Sequence, residues 1–283
     1  MKGQKTKRKV RTKHVVQKHR GQRLSGEVER LRRQTRRRAM WIGAAIAAVA
    51  YAFVFYYFIV SPYTLRWKAL YGDLSAPEGY SIRGIDVSHH QGRIDWAQLR
   101  AGRIGEEPVR FVFIKATEGT SLTDAEFKRN FRSAREQGMT RGAYHFFTPY
   151  ADAAEQARHF IANVKLEPGD LPPVLDIENA GNLNKNEVRK AALTWLQTVE
   201  KHYGVRPILY TYHKFKQQYL DGADFKPYHY WIAHYYVSRL EYKGEWKFWQ
   251  HTDTGHLPGI TGEVDFNVYN GSMYDLRRLT VRE

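Results

Sequence analysis

Asp176 and Glu178 stand one residue apart at the end of the run Leu171-Pro172-Pro173-Val174-Leu175-Asp176-Ile177-Glu178. Successive side chains on a strand alternate faces, so this i, i+2 pair leaves one face while Leu175 and Ile177 leave the other. Acidic side chains seldom close an apolar run unless they are paired or engaged in chemistry, and two carboxyls on one face are equipment for general acid–base work. The same alternation recurs in Gly84-Ile85-Asp86-Val87-Ser88 and in Val264-Asp265-Phe266-Asn267, which puts Asp86 with Ser88 and Asp265 with Asn267. Aromatic residues accompany the acids: Tyr144 and Phe146, Tyr210 and Tyr212, Trp231 and Tyr235, and Trp249. Carboxyls ringed by aromatic side chains suit a carbohydrate cleft, where rings stack on sugar C–H faces and carboxyls act on the glycosidic oxygen and the developing oxocarbenium charge. Lys115 either reaches into such a cleft or pairs with an acid there and tunes its charge.

Other chemistries find no footing. The chain has no Cys, which removes disulfides, thiolate zinc sites and cysteine nucleophiles. His89-His90 lacks the spacing of a zinc motif and reads as a polar loop, and neither a phosphate-cradling Gly-rich loop nor a G-x-S-x-G elbow is present. No metal and no cofactor is expected.

Placing the acids requires a scaffold of alternating strands and helices. Apolar runs predict eight strands, at Ser81–Val87, Val109–Thr117, Thr140–Phe147, Leu171–Glu178, Pro207–His213, His229–Tyr235, Trp246–Thr252 and Val264–Val268. Helical periodicity at Val188, Ala192, Trp195, Leu196, Val199 and Tyr203 predicts a helix that Gly204 ends; others fall at Asp124–Gln137 and near Ala151–Val164. This order predicts an α/β fold, an irregular β/α (TIM-like) barrel with reactive groups at the C-terminal strand ends. The later connectors, residues 236–245 and 253–263, are short for parallel crossovers and predict antiparallel final strands.

The formal charge of +16 suggests a nucleic-acid binder until it is located. Residues 1–39 hold sixteen Lys and Arg against Glu27 and Glu29, a net of +14, leaving +2 for the other 244 residues. This basic arm is expected to lack structure. Nothing aromatic is interleaved with its charges, so nucleic acid is not the expected partner. Met40–Val60 carries no charge over twenty-one residues, about the thickness of a bilayer's hydrocarbon core, and has Trp41 at one end and Tyr56 and Tyr57 toward the other. It reads as a retained transmembrane helix rather than a cleaved signal peptide, with the basic arm cytoplasmic and the rest beyond the membrane. Residues 61–80 form a linker and residues 81–283 the barrel domain.

Residues 81–279 resemble glycoside hydrolase family 25, the Chalaropsis-type lysozymes. The resemblance is carried, in order, by Gly84-Ile85-Asp86-Val87-Ser88 with Gln91-Gly92 and Ile94-Asp95-Trp96; Phe113 to Gly119; the Asp124, Phe127, Asn130, Ala134, Gly138 helix; Gly142-Ala143-Tyr144-His145-Phe146; Leu175 to Glu178; Leu209-Tyr210-Thr211; Trp231-Ile232-Ala233; Trp249-Gln250; and Gly259-Ile260 with Val264 to Asn267. It implies an N-acetylmuramidase that hydrolyses the β-1,4 bond between N-acetylmuramic acid and N-acetylglucosamine in peptidoglycan, on a flattened barrel of five βα units followed by three strands. On that resemblance Glu178 is the catalytic acid, Asp176 its partner carboxylate, and Asp86 and Asp265 further pocket acids. Lys115, Tyr144, Tyr210, Tyr212, Trp231, Gln250 and Asn267 are the expected substrate-binding residues. Asp176 is either a direct nucleophile or the group that orients a substrate acetamide, and the competing reading is a barrel that binds glycan without cleaving it. Tyr212, where many members carry a small residue, and His251, where Tyr is common, depart from the pattern. A monomer at a bacterial cytoplasmic membrane, with the barrel outside, is the expected setting.

Overall fold

The computed structural model describes residues 30, 32–51, 53–54, 77–240, 242 and 244–282. The chain divides into two units, Met1–Leu70 and Tyr71–Glu283.

In the first unit residues 32–51 are helical, and Met40, Trp41, Ile42, Ile46, Val49 and Tyr51 are exposed. Residues 32–39 belong to the arm expected to lack structure; they continue the helix because each residue added to an existing helix gains a hydrogen bond without a new nucleation step. Among the described residues no helix is long and apolar enough to cross a membrane. The expected span Met40–Val60 lies partly outside them, at residues 52 and 55–60, as do most of the basic arm and residues 61–76.

The second unit is a closed barrel. Its strands are β1 (Arg83–Val87), β2 (Arg103–Ile104), β3 (Glu107–Glu118), β4 (Leu122–Thr123), β5 (Thr140–Phe146), β6 (Val174–Asp176), β7 (Ile208–Tyr212), β8 (His229–Ala233), β9 (Phe248–Gly255) and β10 (Val264–Tyr269). β2 and β4 are two-residue additions to β3 that the sequence pattern did not predict. The other eight correspond to the predicted strands and close in the order β1-β3-β5-β6-β7-β8-β9-β10, with β10 returning to β1. β1 and β3 to β9 around the ring run parallel, and only β10 is antiparallel to both neighbours.

The expectation that the final strands are antiparallel therefore fails for β9. β8 ends at Ala233, so the crossover has residues 234–247 available. Among its described residues it has no helix: the His234 N–H donates to the Gln250 carbonyl and the Tyr236 N–H to the His251 carbonyl, with Tyr236 at φ 57°. Between β7 and β8 only short helical turns occur, from His213 to Phe225; whether the barrel has five βα units depends on counting them as a helix.

The long helices end where their sequences dictate. In Lys185–Tyr203 the Asn184 side chain accepts from the Asn186 and Glu187 N–H groups, and Gly204 closes the helix at φ 67°, which a Cβ would disfavour. Val188, Ala192, Trp195, Leu196 and Val199 are its buried face. In Ala153–Asn163 the Asp152 carboxylate accepts from the Glu155 N–H. Outward strand residues such as Ile85, Ile114, Leu175 and Leu209 join these helix faces in one core, while Phe111, Phe113, Val174, Trp231, Phe248 and Tyr269 form a second core within the barrel. Rings meet one another in that interior: Phe113 stacks on Trp231 at 4.4 Å and meets Phe248 at 5.0 Å. A Cβ on Gly84 or Gly142 would fall 2.4 Å from Phe111 or 2.6 Å from Phe113, so only glycine lets β1 and β5 pass these rings.

Candidate active site

The C-terminal ends of β1 and β6, together with β10, bring the four predicted acids into one electrostatic neighbourhood above this aromatic floor. Asp176 is the last residue of β6, paired in register with Phe146 and Tyr210. The Ile177 N–H still bonds the Tyr210 carbonyl, which keeps the backbone extended and turns Glu178 to the same side as Asp176. The two carboxyls hydrogen-bond each other. Burial pushes both above the usual carboxylate range, and the charge of Glu178 adds to the effect on Asp176, so the pair retains a proton that exposed acids would release. The Asp176 Oδ1 atom is buried without a hydrogen-bond partner among the described residues, an arrangement that costs free energy unless a ligand supplies a donor.

Asp86 and Asp265 are opposite each other in the β1–β10 ladder and share a hydrogen bond. Burial raises Asp86 to about 6 and Asp265 to about 9. The Asp86 Oδ2 atom also accepts from Gln250 Nε2 at 2.8 Å and Asn267 Nδ2 at 2.7 Å, which oppose the effect of burial without cancelling it. Both amides are fixed from behind. Gln250 Oε1 accepts from the Tyr210 hydroxyl at 2.6 Å and the Tyr235 hydroxyl at 2.8 Å, and Asn267 Oδ1 accepts from Trp231 Nε1 at 2.7 Å. Tyr210 meets the Trp231 ring at 4.4 Å and Tyr144 meets it at 6.5 Å. Of the predicted residues, then, Tyr210, Trp231, Gln250 and Asn267 are a buried support for Asp86, while burial, with the charges of Asp86, Asp176 and Asp265 adding to it, raises the Tyr144 phenol well above its ordinary value.

Lys115 takes the second of its two readings. Its Nζ bonds Glu118 Oε2 at 2.7 Å and lies 4.8 Å from the centre of the Phe146 ring, and its charge draws Asp176 downward. Tyr212 is 38% exposed at the rim. Trp249 is a correction: adjacent to inward-facing Gln250 it must face out, and its Nε1 donates to the His234 carbonyl while its ring meets Tyr80 and Trp246. The His89 ring bonds Asp124 at 2.8 Å. Among the described residues no group of three or more His, Asp or Glu is placed to hold a metal. A cavity of about 360 Å³ adjoins Glu178, and its lining includes His213, Lys214 and His234, which sequence reasoning did not single out: His213 and His234 fell at the ends of predicted strands and Lys214 in the connector that follows.

Residues 85–260 match the family model described as glycosyl hydrolases family 25. The chain is 46% identical over 202 residues to the protein from Escherichia coli (strain K12) named "Uncharacterized protein YegX", covering 71% of this chain and 74% of that one. It is 34% identical over 208 residues to lysozyme M1 of Streptomyces globisporus, covering 68% of each. Among solved structures it is similar to the bacterial lysozyme from Streptomyces coelicolor, with a TM-score of 0.66 at 32% identity over 72% of this chain and 98% of that one.

Proposed function

The chain belongs to glycosyl hydrolase family 25, and from that membership we propose that it is a muramidase cleaving the β-1,4 bond between N-acetylmuramic acid and N-acetylglucosamine in peptidoglycan. Glu178 is the general acid that protonates the leaving oxygen, and its raised affinity for a proton suits that task near neutral pH. The observation that carries the mechanism is the unsatisfied, buried Oδ1 of Asp176. The N–H of the muramoyl acetamide is a donor of the required kind. Bound there, the acetamide carbonyl oxygen is free to attack the anomeric carbon as the glycosidic bond breaks. Glu178, having lost its proton to the leaving sugar, then takes one from the water that opens the cyclic intermediate. Asp86, braced by Gln250 and Asn267, and Asp265 beside it hold charge and hydroxyl groups near this pair. Tyr144, Tyr212 and Lys115 contact or tune the sugar-binding face.

Mass analysis of muropeptides released by the full chain tests the reaction, with E178Q alongside. Products ending in reducing N-acetylmuramic acid, and a loss of 10³-fold or more in E178Q at unchanged folding, are expected. A fully active E178Q protein removes Glu178 from its role, and glycan binding without any release makes the barrel a binding module.

We also infer that residues 40–60 hold the barrel at the outer face of a cytoplasmic membrane, where peptidoglycan lies. The support is the uncharged run next to a dense cluster of Lys and Arg. Release of the full chain from membranes by alkaline carbonate would dispose of the anchor.

A further inference from the structure

The cavity beside Glu178 has one wall that the proposed reaction does not use. Glu178, Tyr212, His213, Lys214, His234 and Tyr235 together line about 360 Å³. The wall is braced: the His213 ring packs 5.1 Å from that of His234 and 5.8 Å from Tyr242, and the Tyr212 ring rests 5.7 Å from Phe215. Lys214 is exposed and has no carboxylate partner among the described residues. Other basic residues of the barrel are committed, Lys115 to Glu118, Lys216 to Asp221 and Arg189 to Asp224.

The site itself is acidic, with Asp86, Asp176, Glu178 and Asp265 lying over the aromatic interior and acting on one another. Such a site repels an anionic substrate unless a cation stands where the substrate's charge falls. The muramoyl sugar is anionic, through the carboxylate of its lactyl ether or, when that is amide-linked, through carboxylates on the attached peptide. We propose that Lys214, held on the His213–His234 wall, is a specificity-determining residue that receives this carboxylate and makes the enzyme favour acidic over amidated glycan. The proposal rests on the muramidase reading above.

The test uses the full chain in detergent and three substrates: cell wall with its peptides, glycan strands stripped of peptides but retaining lactyl carboxylates, and stripped strands amidated with carbodiimide and ammonia. K214Q should raise KM on acidic glycan roughly fivefold, the effect of one exposed charge pair, with kcat within about twofold. K214E should raise KM further and K214R should restore it, while on amidated strands the unsubstituted chain and K214Q should be alike. An effect on stripped strands identifies the lactyl carboxylate, and one confined to cell wall identifies the peptide. Equal KM for K214E and the unsubstituted chain on both acidic substrates overturns the proposal, as does an equal loss on amidated strands. If the unsubstituted chain cleaves nothing, the muramidase reading fails, and binding of stripped strands by E178Q and by E178Q/K214E decides this one: weaker binding by the double variant supports it and equal binding overturns it.

Discussion

Asp265 faces Asp86 directly across the antiparallel β1–β10 ladder, and the two carboxyls share a hydrogen bond. Burial holds both above the ordinary carboxylate value, Asp86 at about 6 and Asp265 at about 9, so the pair retains a proton into the neutral range. Asp86 is held by the Gln250 and Asn267 amides.

That arrangement makes stability depend on pH with a definite sign. Both groups titrate near 3.8 when unperturbed, so between that value and about 9 the folded protein holds protons that the unfolded chain has released, and stability declines as pH rises through that window. In D265N the donor is permanent. Its melting temperature should fall less than that of the unsubstituted chain between about pH 5 and about pH 9, and the two should converge below about pH 4. Parallel curves would show that Asp265 is not the acid kept neutral.

The charge of Lys115 holds Asp176 below where burial alone would set it. K115M should therefore raise Asp176 further, moving the acid limb of the kcat/KM profile to higher pH and leaving the basic limb in place. Profiles measured on stripped glycan strands check this. Movement of both limbs together would point to a rearranged site instead.

Gln250 is aimed by two hydroxyls, those of Tyr210 and Tyr235. Y210F or Y235F alone should leave one donor and cost about 1 kcal/mol or less in transition-state stabilisation. Y210F/Y235F leaves the amide free to flip and present its oxygen to Asp86, so its loss in kcat should exceed the sum of the two. Strictly additive values would mean that the orientation of Gln250 does not matter.

Gly142 passes the Phe113 ring so closely that a methyl group has no room. G142A should destabilise the barrel by about 1–3 kcal/mol through overpacking, and G142A/F113L should recover part of that loss. Urea unfolding of the three proteins gives the comparison.

What the sequence by itself determined were the features that depend on near neighbours along the chain. The alternation around Asp86, Asp176 and Asp265 placed each acid on its face, eight apolar runs marked eight barrel strands, and the spacing of Val188, Ala192, Trp195, Leu196 and Val199 marked the buried side of a helix. Even the outward turn of Trp249 was implicit there, since Gln250 next to it faces in. Tertiary structure alone decided the rest: the parallel direction of β9, the partnership of Asp86 with Asp265, the choice of Glu118 as the partner of Lys115, and the gathering of His213, Lys214 and His234 beside Glu178. Alternation fixes only which way a side chain points from its own strand. Which group it then meets depends on register and barrel closure, and these are set by contacts such as Asp86 with Gln250 and Asn267, residues more than 160 positions apart.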